Sequence, residues 1–195
     1  GLLGFEAGLF VPSGTQGNLI ALMTHCERGD EYLVGQEAHA YRFEGGGAAV
    51  LGSIQPQPLN NQPDGSLAIE DIVKAIKPLD NHFARSRLLA LENTISGRVL
   101  PLAYLQEATE CAHHHGLSTH LDGARVCNAA VKLGVAPAAM VRGFDSVSLC
   151  LSKGLGAPVG SVLCGSEQFI EQARRWRKML GGGMRQAGVL AAAGI

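Results

Sequence analysis

Lys153 stands where an alternating run gives out. In Ser146-Val147-Ser148-Leu149-Cys150-Leu151-Ser152 apolar side chains alternate with small polar ones, the period-2 pattern of a strand, and the lysine is followed by Gly154 and Gly156. No charged residue lies near it in sequence between Asp145 and Glu167. That isolation predicts a partly buried amine. Desolvation disfavours an ammonium ion and so favours the neutral amine that can add to a carbonyl. A strand-end lysine that reaches back to water fits the same residues.

Three other stretches carry groups that could act with it. Ser13-Gly14-Thr15-Gln16-Gly17-Asn18 opens the apolar-periodic run Leu19 to Cys26, and a helix start of this kind leaves free N–H groups and a positive dipole end suited to a phosphate. It lacks the Gly-Lys-Ser/Thr ending of a nucleotide loop, and a plain N-cap explains it equally. Asp122 closes the short predicted strand Leu117 to Leu121, either as a cap for the helix Val126 to Leu133 or as a carboxylate for a cationic heterocycle. His39 follows the short strand Glu31 to Gly35 and is placed either to stack on a planar ligand or as an ordinary loop histidine. His113-His114-His115, just before Gly116, reads as a solvated helix end, because three consecutive helical residues point in different directions. No metal site is expected.

A strand-end lysine, a strand-end aspartate 31 residues before it and a phosphate-suited helix start together meet the needs of pyridoxal phosphate (PLP). That cofactor requires an amine for its aldehyde, a carboxylate to keep its ring nitrogen protonated and donors for its phosphate.

The elements that must position these groups alternate as strand then helix. Leu88 to Leu91, Leu117 to Leu121, the run before Lys153, and Val159 to Cys164 read as strands. Helices are predicted from the spacing of Ile69, Ile72, Val73 and Ile76, from Leu102, Leu105, Ala108 and Ala112 with Pro101 in the first turn, and from Phe169, Ala173, Trp176 and Leu180 after Ser166. Pro56, Pro58 and Asn60-Asn61 predict a turn region. The pattern implies an α/β fold, a mainly parallel sheet flanked by helices, with ligands at the strands' carboxyl ends.

Composition narrows the partners. The 195 residues carry a formal net charge of −1, so no basic field recommends nucleic acid or an anionic membrane. No apolar stretch reaches membrane-spanning length. Five widely spaced cysteines without a C-x-x-C pair predict reduced thiols and a cytoplasmic protein. The chain begins without Met and ends within a predicted helix, so it is expected to be part of a longer protein.

The chain resembles the threonine aldolase family, PLP enzymes of the aspartate-aminotransferase-like fold. The resemblance rests on Pro12-Ser13-Gly14-Thr15-Gln16-Gly17-Asn18, Gly35-Gln36-Glu37-Ala38-His39, Leu91-Glu92-Asn93-Thr94, His120-Leu121-Asp122-Gly123-Ala124-Arg125, Leu151-Ser152-Lys153-Gly154-Leu155-Gly156 and Gly181-Gly182-Gly183-Met184-Arg185-Gln186, and it covers nearly the whole chain. It implies that Lys153 binds the cofactor covalently, Asp122 pairs with its ring nitrogen, His39 stacks on the ring, and Ser13, Gly14 and Thr15 hold the phosphate. It also implies that Arg125 lies near cofactor and substrate carboxylate, Phe43 lines the substrate pocket and His82 is a candidate base. Lys178 and Arg185 would approach the site of a neighbouring subunit in a homodimer or homotetramer.

The implied substrate is a β-hydroxy-α-amino acid, threonine or allo-threonine, cleaved to glycine and acetaldehyde. Residues 1–195 would then form the large cofactor-binding domain, lacking the family's amino-terminal segment and its small carboxyl-terminal domain. A serine-hydroxymethyltransferase-like or β-eliminating PLP enzyme, a non-catalytic PLP-binding module and, least well, a nucleotide-binding protein are the rival readings.

Overall fold

The computed structural model describes residues 1–195. In chain order the elements are β1 (Ala7–Val11), α1 (Gly14–His25), β2 (Asp30–Gly35), the short α2 (His39–Arg42) and α3 (Gly47–Val50), β3 (Gln55–Leu59), α4 (Ile69–Ala75), β4 (Arg85–Glu92), α5 (Leu102–His114), β5 (Ser118–Asp122), α6 (Val126–Leu133), α7 (Pro137–Met140), β6 (Ser146–Cys150), β7 (Ser161–Gly165), α8 (Glu167–Met179) and α9 (Ala187–Ala191). One seven-stranded sheet runs in the order β1-β7-β6-β5-β4-β2-β3. The pairs β2–β3, β2–β4, β4–β5 and β5–β6 are parallel, and β7 is antiparallel to both β1 and β6. The expected mainly parallel α/β sheet is therefore what forms.

Alternation along the strands divides the interior into two layers. Leu33, Leu89, Leu91, Leu121, Val147 and Leu149 pack with α4, α5, α6 and α7 in one core. On the opposite face Tyr32, Val34, Leu88 and Ala90 meet Leu19, Leu22 and Met23 of α1, while Leu9, Val11 and Leu163 meet Ile20, Ala21 and α8. Every residue from Gly17 to Met23 is buried, so α1 is an interior helix, apolar around most of its circumference.

Glycines let this helix approach the sheet. A Cβ on Gly14 would lie 2.9 Å from Cys150 Sγ, and one on Gly17 would lie 3.1 Å from Ser148 Oγ. The small polar residues that alternate along β6 are thus not a solvent face. Ser146, Ser148 and Cys150 lie beneath α1, and all five residues of β6 are buried.

Two elements depart from the sequence reading. Gln55–Leu59, expected as a turn because of Pro56 and Pro58, is the edge strand β3. Prolines at alternate positions leave the N–H groups of Gln55, Gln57 and Leu59 to pair with β2, and their own lack of a donor falls on the open edge. Ala7–Val11, not among the strands predicted from sequence, forms β1 at the other edge. Pro101 caps α5 rather than entering its first turn.

Candidate active site

Strands β1, β2, β4, β5 and β6 all run the same way, so their carboxyl ends gather Ser13, His39, Glu92, Asp122 and Lys153 along one rim of the sheet. A cavity of about 330 Å³ opens there, lined by Ser13, Gly14, Thr15, Asn18, His39, Asp122, Ala124, Cys150, Ser152, Lys153 and the Pro158–Gly160 turn. Six residues singled out from sequence therefore meet in one space: Ser13, Gly14, Thr15, His39, Asp122 and Lys153.

The two readings of the helix start turn out to be compatible. Ser13 caps α1, its Oγ accepting from the Gln16 N–H at 3.1 Å and its carbonyl from the Gly17 N–H at 3.1 Å. The Gly14 and Thr15 N–H groups keep no acceptor within the chain and open onto the cavity at the positive end of a twelve-residue helix.

Asp122 is buried but not a helix cap, since α6 begins at Val126 with no side-chain cap. Its Oδ1 accepts from the Ala124 N–H at 3.0 Å and its Oδ2 from Asn18 Nδ2 at 2.7 Å. Next to it, a Cβ on Gly123 would lie 2.8 Å from Val147 Cγ2 and 3.1 Å from the Ser148 carbonyl oxygen, so the strand-end turn that carries Asp122 fits only a glycine without displacement.

His39 opens α2. Its N–H donates to Glu92 Oε2 at 2.7 Å, its Nδ1 lies 2.9 Å from Glu44 Oε1, and its ring leans on Phe43 at 5.7 Å between centroids. Phe43 is itself exposed. Burial pushes the Glu44 carboxyl up to about 7 against the lowering effect of its bonds to Asn18 and His39, with the Asp122 charge raising it further. Burial, then the Asp122 charge, pushes Glu92 up to about 7 as well. Three carboxyls share this corner, and burial favours the protonated form of Glu44 and Glu92. Ligand atoms of His39, Glu44 and Asp122 lie within 4.8 Å of one another, as a metal site would require. The Asn18 amide nitrogen already donates to both carboxylates, so hydrogen bonds satisfy the cluster.

Lys153 corrects an expectation. It lines the cavity, but the residue is exposed rather than partly buried. It lies past the end of β6 in a turn containing Gly154 and Gly156, without flanking strands to cover it. Arg125 is exposed immediately after the cavity-lining Ala124. His82 is not gathered with the others: it occupies the connection between α4 and β4, largely exposed, with Nδ1 2.6 Å from Asp80 Oδ1. Lys178 and Arg185 are exposed on the last turn of α8 and the loop after it, outside the cavity lining. Sequence reasoning gave no role to Asn18, Glu44, Glu92 or Cys150. For Asn18 a signal existed: it sits four residues after Gly14, on the same helical face.

The family model described as beta-eliminating lyase matches residues 1–195. The chain belongs to the beta-eliminating lyase family. Among relatives, it is 58% identical over 194 residues to the low specificity L-threonine aldolase of Escherichia coli K12, covering 100% of this chain and 58% of that protein. It is 49% identical over 200 residues to low-specificity L-threonine aldolase 1 of Arabidopsis thaliana, covering 100% of this chain and 56% of that one. Among solved structures, the threonine aldolase of Leishmania major superposes with a TM-score of 0.85 at 25% identity, over 96% of this chain and 55% of that one. The chain thus spans a little over half the length of the family members it matches. Their names are those to which the sequence motifs pointed.

Proposed function

We propose that this chain carries the cofactor site of a PLP-dependent aldolase that cleaves L-threonine or L-allo-threonine to glycine and acetaldehyde. The observation that carries the reading is the convergence, in one cavity at the strands' carboxyl ends, of the Lys153 amine, the buried Asp122 carboxylate and the open start of α1. The residues fit the cofactor. Two N–H groups without acceptors and the Ser13 and Thr15 hydroxyls suit a phosphate, and the absence of a side chain at Gly14 keeps that corner open. When bound, PLP supplies an aldehyde for an amine and an electron-poor ring that accepts the electron pair of the bond being broken.

The chain's own groups then have distinct tasks. Lys153 supplies the amine. Asp122, fixed by Asn18 and the Ala124 N–H, holds the proton on the ring nitrogen. His39, anchored through its N–H by Glu92 and through Nδ1 by Glu44, bounds the ring face and serves the proton of the β-hydroxyl group. Arg125, at the mouth beside Ala124, takes a carboxylate, and Phe43 extends the wall next to His39 toward the substrate side chain. His82, held by Asp80 in an exposed connection, has no task in this chain's own cavity.

Lys178 and Arg185, exposed and outside this cavity, are assigned to the site of a second copy in a homodimer or homotetramer. No helix is long and apolar enough to cross a membrane. All five cysteines are free, which supports a reducing, cytoplasmic setting and a place in threonine breakdown and glycine supply. Product analysis of the full-length protein with PLP and L-threonine tests the reading. Glycine and acetaldehyde are expected; pyruvate and ammonia would assign it to β-elimination instead, and cofactor binding without turnover would make it a binding module.

A further inference from the structure

Two of the three carboxyls in this corner, Asp122 and Glu44, meet on one amide. Asn18, 1% exposed, donates through Nδ2 to Asp122 Oδ2 at 2.7 Å and to Glu44 Oε1 at 2.8 Å. Its Oδ1 accepts from Ser148 Oγ at 2.8 Å and from His120 Nε2 at 3.2 Å. A carboxamide has two donor hydrogens and two acceptor lone pairs, and all four are used. Turning the amide over would set its oxygen against the Asp122 carboxylate, which only accepts.

With the amide nitrogen held toward Asp122, the directions of the next hydrogen bonds follow through the layer beneath α1. An amide oxygen only accepts, so His120 carries its proton on Nε2, and its Nδ1 accepts from the Ser146 hydroxyl at 2.8 Å. Ser146 Oγ lies 2.7 Å from His25 Nε2, which then donates to it. Burial holds both imidazoles neutral, pushing His120 down to about 3 and His25 down to about 4. His25, stacked on Phe169 at 4.6 Å, lines a separate polar cavity with Arg87, Ser118 and Asp145. Each donor direction in the series from Asp122 back to His25 therefore follows from the one before it.

We infer that Asn18 is a positioning residue of the site: its amide, turned by the acceptor-only Asp122 carboxylate and seated on Ser148 and His120, holds that carboxylate and, through Glu44, the His39 ring. The inference rests on the reading that this cavity takes PLP, and it deepens that reading. Removing Asn18 leaves Asp122 and Glu44 side by side without their shared donor, so the carboxylate that meets the cofactor loses its fixed direction.

A double-mutant cycle read as the PLP dissociation constant, in the full-length protein, separates this role from general packing. Asn18→Ala is expected to weaken PLP binding about tenfold, the scale of a lost hydrogen bond to a charged group. In an Asp122→Asn background the same change is expected to cost clearly less, about threefold at most, because only the path through Glu44 to His39 remains. Equal loss in both backgrounds, or no loss in either, overturns the inference. If Asn18→Ala does not fold, Ser148→Ala removes one donor to Asn18 and is expected to weaken binding about threefold only where Asp122 is intact; again, equal loss or none refutes it. Wild-type protein that binds no PLP would refute the cofactor reading and this inference with it, whereas saturable wild-type binding with an uncoupled cycle refutes the inference alone.

Discussion

His39 and His82 look alike in sequence, each a single histidine in a polar connection, and only their surroundings tell them apart. His39 is anchored twice, by Glu92 on its N–H and by Glu44 on Nδ1, and it lines the cavity. His82 is mostly exposed and answers only to Asp80. In a PLP-loaded protein, His39→Asn is expected to lower the aldolase rate about a hundredfold with the cofactor still bound, the scale of a lost general base. His82→Asn is expected to stay within about threefold, as for an exposed substitution. Steady-state acetaldehyde release measures both, and the reverse ranking would move the proton-transfer role to His82. Of the remaining site residues, Lys153 and Asp122 were legible because each follows a short predicted strand. The exposure of Lys153 was not, because charge isolation along a sequence does not report how much chain folds over a side chain. Glu44 was not legible because an acidic residue five positions after His39 reads as a solvated charge until the fold buries it against Asn18, 26 residues away.

At the scale of elements, the alternation along β6 was legible as a strand, but a period-2 pattern cannot say whether its polar face meets water or another helix. Here it meets α1, and Ser146 and Ser148 become internal hydrogen-bond partners. The proline-containing β3 was missed for a related reason, since edge position, which makes proline tolerable, is a property of the sheet. Close approach between elements also carries a cost that can be measured. Gly123→Ala would push a Cβ against Val147 and the Ser148 carbonyl, and overpacking of this kind is expected to destabilise the fold by about 1–3 kcal/mol. A thermal-melting midpoint unchanged from wild type would show that the β5–α6 turn relaxes freely.

Across the whole molecule, buried titratable groups oppose one another. His25 and His120 are held neutral with folded-state values near 4 and 3, so the unfolded chain binds more protons below its ordinary histidine value of 6.5, and their contribution falls as pH drops. Glu44 and Glu92, raised to about 7 from 4.5, keep protons in the folded state that the unfolded chain has released, so their contribution rises as pH drops from 7 toward 4.5. Cofactor-free protein is therefore expected to show little change in denaturant midpoint between about pH 6.5 and 4.5, and a steep loss below that. With Glu44→Gln one compensating group is gone, and the loss should begin nearer pH 6.5. An acid profile for the variant that overlays the wild type would remove Glu44 from this balance.

The order of strands in the sheet brings a lysine, an aspartate and a helix start that lie far apart in sequence to one rim, and covalent trapping tests that arrangement most directly. Full-length protein incubated with PLP, reduced with borohydride and digested is expected to carry the pyridoxyl group on the peptide containing Lys153, with phosphate analogues that compete at the helix start lowering the yield. A pyridoxyl group on another lysine, or on none, would contradict the account.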